Sequence, residues 1–234
     1  MALTANRVLR FPDQQALARA AADLVVESLG LAAAPSFNLT GGNSIMGLYR
    51  LLGGEYAGAI DWPSLVITWG DERFVPRGDP DHNASAARQV LLNNVPIDPG
   101  RVHEIPTEGA SLEDCAAAYA ATLEGIADRG EFLFDVTLLS LGDDGHIASL
   151  IPGQPVLEER ETLAAAVPHG RPEPRITLTY PALARSARLI LIASGEKKAA
   201  VLKDLLAGAE QYPASRLRVD GELVLLADEA ALGK

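Results

Sequence analysis

The chain has 234 residues, of which 48% are hydrophobic, and a formal net charge of −11 at pH 7. This length suits one substantial core, and no linker-like tract or internal repeat divides the sequence, so we expect a single α/β domain over residues 1–234. An acidic protein repels phosphate backbones at long range, which argues against a nucleic-acid partner. The sequence shows neither a secretory-signal pattern nor an apolar run of the ~20 residues that span a bilayer. We therefore expect a cytoplasmic protein without a membrane partner.

Cys115 is the only cysteine in the sequence, so an intramolecular disulfide is excluded. It lies in an Ala-rich run that is typical of a helix, and we predict a buried, small apolar side chain rather than a nucleophile. A reducing compartment fits this pattern.

Buried-type strands alternate with amphipathic helices along the chain. Asp13 can cap a first helix that ends at Gly30, and Ser111 with Asp114 forms a capping-box pattern at the start of a later one. Strands are predicted at residues 37–40, 65–69, 134–141, 188–193 and 223–226, and further helices at residues 45–52, 84–92 and 111–128 and after residues 194–198. This alternation predicts a mostly parallel, Rossmann-like open sheet with helices on both faces.

Four polar segments follow the carboxyl ends of predicted strands. They are residues 40–44, 71–73, 143–146 and 194–198. In open α/β sheets, ligands bind in the crevice at this edge. We therefore expect these segments, although far apart in sequence, to face one cleft.

The first of these segments contains Gly41, Gly42, Asn43 and Ser44. Glycines after a strand allow close approach of a ligand, and backbone N–H groups at a helix start can bind an anion. An ordinary strand-to-helix turn is the alternative reading. The segment has neither a dinucleotide-binding G-x-G-x-x-G pattern nor a P-loop ending, so it gives no support for NAD or ATP as a cofactor.

His146 is the candidate general base. Imidazole titrates near neutrality, so it can take a proton from water and return it to a leaving oxygen. Of the four histidines, it alone follows a buried strand and a Gly-Asp-Asp-Gly turn, whereas His82, His103 and His169 fall in loops or at element ends. A histidine that caps the next helix is the alternative.

A metal site is not predicted. Asp143, Asp144 and His146 could offer ligands, but no H-x-x-x-H, H-E-x-x-H or paired-Cys spacing accompanies them. Asp144 more plausibly caps a turn or orients His146.

Arg73, Arg175 and Lys198 are the candidate cationic groups. Each one taken singly reads as a solvated surface charge. A cation near a helix start, as at Lys198, opposes the helix dipole, so an anionic partner would explain it. Their expected convergence on one edge of the sheet favours an anionic ligand.

These segments together resemble the 6-phosphogluconolactonase family over most of the chain. The matching segments are L-G-D-D-G-H-I-A-S-L-I-P-G at residues 141–153, W-G-D-E-R-F-V-P at 69–76, D-H-N at 81–83, P-R-I-T-L-T at 174–179, G-E-K-K at 195–198 and P-A-S at 213–215. The resemblance implies a fold shared with glucosamine-6-phosphate deaminases and ribose-5-phosphate isomerases.

The resemblance also implies an activity, which is hydrolysis of 6-phospho-D-glucono-1,5-lactone to 6-phospho-D-gluconate in the oxidative pentose phosphate pathway. The sugar-phosphate lactone is then the partner, no cofactor or metal is needed, and the protein is a monomer or small homo-oligomer. His146 becomes the general base, and Asp144 and Arg73 join it in the catalytic set, with Arg73 near either the lactone or the phosphate. The implied substrate-binding residues are Gly41, Gly42, Asn43, Ser44, Asp71, Asn83, Arg175 and Lys198.

The sequence departs from the family pattern at three positions. Asn43 replaces a serine of the Gly-rich loop, His82 replaces the serine before Asn83, and Ile147 replaces the threonine after the histidine. These three substitutions bear on the phosphate contacts more than on the chemistry.

Two alternatives share the implied fold. A deaminase or isomerase would continue the G-H-I pattern with N-E-P, but Ile151 stands at that glutamate position and cannot move a proton. A non-catalytic sugar-phosphate sensor would lose the base and usually carry a DNA-binding module, yet His146 is present and no basic helix-turn-helix segment is visible. Hydrolysis is therefore favoured.

Overall fold

The structure is a computed structural model that describes residues 3–32, 35–109, 111–127 and 131–234. The strands are β1 Arg7–Phe11, β2 Ser36–Leu39, β3 Val66–Trp69, β4 Asp71–Arg73, β5 Phe134–Ser140, β6 Ala164–Val167, β7 Arg175–Leu178, β8 Ser186–Ala193 and β9 Glu222–Asp228. The α-helices are α1 Gln14–Leu29, α2 Met46–Leu52, α3 Asn83–Val90, α4 Leu112–Ala127, α5 Tyr180–Ala184 and α6 Ala199–Leu206. Short 3₁₀ helices lie at Ala57–Ala59, Trp62–Ser64, Leu92–Asn94, Pro99–Arg101, Pro155–Glu158, Glu196–Lys198 and Pro213–Arg216.

Six strands form a parallel sheet in the order β1-β9-β8-β5-β2-β3. Strands β2 and β3 are buried at every residue. Because successive side chains point to opposite faces of a sheet, this burial requires cover on both sides. The predicted fold class is confirmed, and each of the five predicted strands overlaps a strand of this sheet.

The predicted helix signals are also confirmed. The N–H of Ala16 donates to Oδ1 of Asp13 at 2.8 Å, as expected of an N-cap. At the start of α4, the N–H of Asp114 donates to Oγ of Ser111 at 3.1 Å. Cys115 is 2% exposed on this helix. The predicted end of α4 at Asp128 lies outside the described residues.

A second, antiparallel sheet of order β4-β7-β6 was not predicted. Residues 71–73, expected as a polar segment after β3, form strand β4 of this sheet, and the chain passes between the two sheets at Gly70. The N–H of Leu178 donates to the carbonyl oxygen of Gly70 at 2.8 Å. This register places Arg73 directly opposite Arg175.

Two buried tyrosines fix the strand ends that lead into the predicted cleft. The hydroxyl of Tyr49 donates to the carbonyl oxygen of Thr40 at 2.7 Å, and the hydroxyl of Tyr119 donates to that of Trp69 at 2.8 Å. Both hydroxyls also accept from the backbone N–H of the same residue. Burial raises the pKa of both tyrosines, so they remain neutral hydrogen-bonding groups.

Candidate active site

A cavity of about 600 Å³ opens at the carboxyl edge of the parallel sheet. Every predicted site residue except Asp144 lines it: Gly41, Gly42, Asn43, Ser44, Asp71, Arg73, Asn83, His146, Arg175 and Lys198. The convergence expected from the strand ends is therefore present in the structure. Asp144 lies behind His146 and contacts it.

The Gly-rich loop presents unused donors to this cavity. Within the described residues, no hydrogen bond employs the backbone N–H groups of residues 41–44. Gly42 has φ 111°, a conformation that favours glycine. A Cβ at Gly41 would lie 2.0 Å from Oδ1 of Asn83, so these two residues require close backbone approach. Consecutive free N–H groups before α2 form an anion-binding surface.

His146 is held by a carboxylate. Its Nδ1 lies 2.5 Å from Oδ1 of Asp144, and its backbone N–H donates to the same oxygen at 3.2 Å. Burial raises the pKa of Asp144, but hydrogen bonds from His146 and Arg171 outweigh that effect and hold it well below its ordinary value. An ionised carboxylate accepts only, so Nδ1 carries the proton and Nε2 is left as the basic nitrogen.

The turn that carries His146 is closed by its own backbone. The N–H of Gly142 donates to the carbonyl oxygen of His146 at 2.8 Å, and the N–H of Gly145 donates to that of Gly142 at 3.2 Å. Gly145 has φ 80°, and Tyr212 packs where its Cβ would be. Ala148, with φ 48°, also lines the cavity. The glycines of the sequence motif therefore set the position of the imidazole.

Arg73 and Arg175 face each other across β4 and β7, and each has only partial pairing. Nη1 of Arg73 donates to the carbonyl oxygen of Asp81 at 2.9 Å and lies 3.7 Å from Oδ1 of that residue. Arg175 is 12% exposed in its side chain and lies 3.9 Å from Oδ2 of Asp71, while that oxygen already accepts from Ser149 at 2.7 Å. The Nε atoms of Arg73 and Arg175 are buried, and neither has a hydrogen-bond partner in the described part of the chain. Burial lowers the pKa of Arg175. Like charges directly opposite destabilise a strand pair, so this arrangement favours a bound anion.

Glu72 and Asn83 connect β4 to the start of α3. The carboxylate of Glu72 accepts from the backbone N–H groups of Arg73, Asn83 and Ala84 at 2.9, 2.7 and 2.8 Å. The amide of Asn83 donates to the carbonyl oxygen of Asp71 at 3.0 Å. Burial raises the pKa of Glu72 to about 7, against the lowering effect of the three N–H donors.

His82 is an N-cap rather than a site residue. Its Nδ1 accepts from the backbone N–H of Ser85 at 3.1 Å, and its side chain is 2% exposed. Imidazole thus caps α3 at the position where the family pattern has a serine.

A buried carboxylate fixes the loop that carries Lys198. Asp228, 3% exposed, accepts from Oγ of Ser194 at 2.5 Å and from the N–H of Gly195 at 3.0 Å. Gly195 has φ 90°. Lys197 and Lys198 both line the cavity, so the loop brings two cationic groups to the same cavity as Arg175.

Several contributors were missed by the sequence analysis. Arg171 donates to Oδ2 of Asp144 at 2.6 Å, Ser140 shares a 3.0 Å hydrogen bond with Ser44, and Asp228 holds the lysine loop. Ser140 is the last residue of β5 and lies next to the end of the predicted strand at residues 134–141, so it could have been found from that position. Arg171 and Asp228 lie in segments without a recognisable motif.

The described residues form no recognisable metal site, because no three or more of their His, Cys, Asp and Glu side chains are arranged to hold a metal ion. None of the helices within the same ranges is long and apolar enough to cross a membrane.

The sheet and its cavity define an α/β protein with a pocket lined by cationic side chains and by a histidine that is paired with an aspartate. Residues 12–225 match the model of the family described as glucosamine-6-phosphate isomerases/6-phosphogluconolactonase. The chain belongs to this family, as the sequence motifs predict.

Relatives of known name agree with this assignment. The chain is 40% identical to the 6-phosphogluconolactonase of Streptomyces coelicolor, over 94% of this chain and 90% of the relative. The solved structure of 6-phosphogluconolactonase from Trypanosoma brucei is 26% identical, with TM-score 0.83 over 99% of both chains. A monomeric glucosamine-6-phosphate deaminase, 20% identical, has TM-score 0.84 over 97% of this chain and 99% of its own, which confirms the predicted shared fold.

Proposed function

We propose that the chain is a 6-phosphogluconolactonase, which hydrolyses 6-phospho-D-glucono-1,5-lactone to 6-phospho-D-gluconate in the oxidative pentose phosphate pathway. One observation carries the proposal: His146 lines the same cavity as Arg73, Arg175 and the free N–H groups of residues 41–44. A base beside an anion-binding surface suits a phosphorylated substrate that reacts with water. The similarity to 6-phosphogluconolactonases indicates that the reacting group is a lactone.

The reaction begins with the histidine. Nε2 of His146 removes a proton from water while the hydroxide attacks the lactone carbonyl carbon, and Asp144 stabilises the imidazolium that forms. The tetrahedral intermediate carries a negative oxygen that needs preorganised donors. Arg73 is the donor we assign, because it lines the cavity together with His146 and, among the described residues, only its Nη1 is engaged, by the carbonyl oxygen of Asp81. The ring oxygen then leaves as a hydroxyl, with the proton returned by His146.

The 6-phosphate orients the substrate. We assign it to the N–H groups of residues 41–44, the hydroxyl of Ser44, the guanidinium of Arg175 and the ammonium of Lys198. Arg suits bidentate phosphate contact and Lys serves as a point charge. Orientation by these groups adds to the ~10²–10⁴-fold contribution of one acid–base residue.

Asp71 and Asn83 are assigned to the sugar. Oδ2 of Asp71 accepts from Ser149 at 2.7 Å, so Oδ1 is available to accept from a sugar hydroxyl. The amide oxygen of Asn83 is similarly available, because its nitrogen makes the hydrogen bond to Asp71. Acceptors at these positions select a polyhydroxylated ligand over an inorganic anion.

We also propose that the protein needs no cofactor, is cytoplasmic and forms at most a small assembly. The steps above need only water, so we propose no metal or cofactor. A single buried cysteine needs no oxidising compartment, and we propose a cytoplasmic enzyme that acts as a monomer or small homo-oligomer.

Deamination or isomerisation is the less favoured reaction on this fold. Ile151 stands where the resemblance places the proton-transferring glutamate of deaminases, and it is 3% exposed. It does not line the cavity.

The test compares freshly prepared 6-phosphogluconolactone with unphosphorylated gluconolactone, each corrected for spontaneous opening. We expect kcat/KM to be at least about 100-fold higher for the phosphorylated lactone, since two or more charge-assisted hydrogen bonds are lost without it. Equal turnover of the two lactones would contradict the assignment of the cationic groups.

A further inference from the structure

Arg171 joins the loop between β6 and β7 to the catalytic pair. Its Nη2 donates to Oδ2 of Asp144 at 2.6 Å and lies 3.2 Å from Nδ1 of His146. Its Nη1 donates to the carbonyl oxygen of Gly170 at 2.8 Å. Arg171 is not among the residues that line the cavity. It therefore contacts His146 from outside the cavity lining.

Nδ1 of His146 has two possible hydrogen-bond partners, Arg171 and Asp144, and they require different protonation states of this nitrogen. Guanidinium is a donor only, so Nδ1 of His146 could accept from Arg171 only if it carried no proton. The proton would then sit on Nε2, and the imidazole could not act as a base toward water. At 2.5 Å the Asp144 contact is the shorter one, and it demands a proton on Nδ1.

The two oxygens of Asp144 have different partners, and this arrangement favours the proton on Nδ1 of His146. Oδ2 accepts from Arg171, and Oδ1 accepts from both the ring and the backbone N–H of His146. The Asp144 side chain is 38% exposed, so without Arg171 water could replace the guanidinium and the carboxylate could rotate. A rotated carboxylate would no longer select the Nδ1–H form.

We propose, on the basis of the lactonase function above, that Arg171 is a positioning residue for the general base. It holds Asp144 so that Oδ1 faces Nδ1 of His146 and Nε2 stays free of its proton. The second sheet then contributes to catalysis, because the loop between β6 and β7 places Arg171 at the carboxyl edge of the parallel sheet.

Kinetics of Arg171→Ala and Arg171→Lys test the proposal, with Arg160→Ala as the matched control. The guanidinium of Arg160 contacts Glu158 and the carbonyl oxygens of residues 157 and 159, and Arg160 does not line the cavity. We expect Arg171→Ala to lower kcat by about 10-fold or more with KM changed less than about two-fold, and Arg171→Lys to recover part of it. A raised KM with unchanged kcat would instead make Arg171 a binding residue and overturn the proposal.

A double-mutant cycle with Asp144→Asn separates positioning from general structure. If Arg171 acts through Asp144, then Arg171→Ala adds less than about three-fold to the loss already caused by Asp144→Asn. A full additional loss in that background would contradict action through the carboxylate.

Nitrogen-15 NMR of the His146 ring needs no substrate, so it remains informative even if the lactonase assignment fails. We expect the proton on Nδ1 in the wild type and in Arg160→Ala, and a substantial Nε2–H population in Arg171→Ala. Should Arg171→Ala fold poorly, Arg171→Lys and Arg171→Gln give the same reading. An unchanged Nδ1–H signal in every folded Arg171 variant would sink the proposal.

Discussion

A Cβ atom at Gly142 would lie 2.0 Å from Nδ1 of His146, because the backbone at position 142 runs directly against the imidazole ring. The same residue donates its N–H to the carbonyl oxygen of His146 at 2.8 Å. The imidazole ring therefore packs against a backbone position that has no room for a side chain. The position of the ring depends on Gly142 as well as on Asp144.

Gly142→Ala should consequently displace the base. A shift of about 1 Å in a catalytic group can cost 10²-fold, so we expect kcat to fall by about that factor while the fold persists. Gly125→Ala is the control, since that glycine lies on α4 with no atom within 4 Å of its added Cβ. Turnover by Gly142→Ala within two-fold of wild type would contradict this, because it would show that the imidazole ring tolerates the added methyl group.

Ligand binding should stabilise the protein through the cationic side chains that line the cavity. At about 100 times Kd, 6-phosphogluconate should add about 2.7 kcal/mol to the free energy of unfolding and raise Tm by about 5–10 °C. Arg175→Gln and Lys198→Gln should each weaken binding about 10-fold or more and shrink this shift. Thermal unfolding with and without ligand measures it, and Lys203→Gln, exposed on α6, serves as the control. Shifts that match the wild type in Arg175→Gln would remove that residue from the phosphate site.

Glu72 should make stability depend on pH. Burial raises its pKa from 4.5 to about 7 in the folded protein. Because the folded value is the higher one, its contribution is fully present below about pH 4.5 and is lost as pH rises through about 7, a loss on the order of 3 kcal/mol. Urea unfolding of wild type and Glu72→Gln at pH 5 and pH 8 measures the difference.

The Glu72→Gln protein should lose most of this pH dependence, whereas Glu124→Gln, on the exposed side of α4, should retain it. The same dependence in all three proteins would assign it to other groups.

Chelators should leave activity intact. The proposed steps use water, one histidine and fixed donors, and the described residues contain no metal-binding cluster. Activity after EDTA treatment and gel filtration should match that of untreated enzyme. A loss that added divalent metal restores would contradict the proposed mechanism.

Sequence patterns predicted much of the fold because its strands are apolar and its helices carry local signals. Strands β2, β3, β5, β8 and β9 read as buried runs, and Asp13 marks the start of α1 through a contact with a neighbour in sequence. The convergence of site residues also followed, since the carboxyl ends of parallel strands share one edge.

The second sheet could not be predicted in the same way. Strand β4 has only three residues, all charged, and β6 is mostly alanine, so neither shows a strand pattern. Their partner β7 lies about a hundred positions after β4 in the chain. The Arg73–Arg175 pairing and the contact of Arg171 with Asp144 both depend on this sheet, and only the folded structure reveals them.

The most direct test of the account is hydrolysis of fresh 6-phosphogluconolactone by wild type and His146→Ala, each corrected for spontaneous opening. We expect fast turnover by the wild type and a kcat lower by ~10²–10⁴-fold in His146→Ala. Far-ultraviolet circular dichroism and binding of 6-phosphogluconate should be retained by the variant. A wild-type rate no faster than buffer would contradict the lactonase function, and an unimpaired His146→Ala would contradict the base.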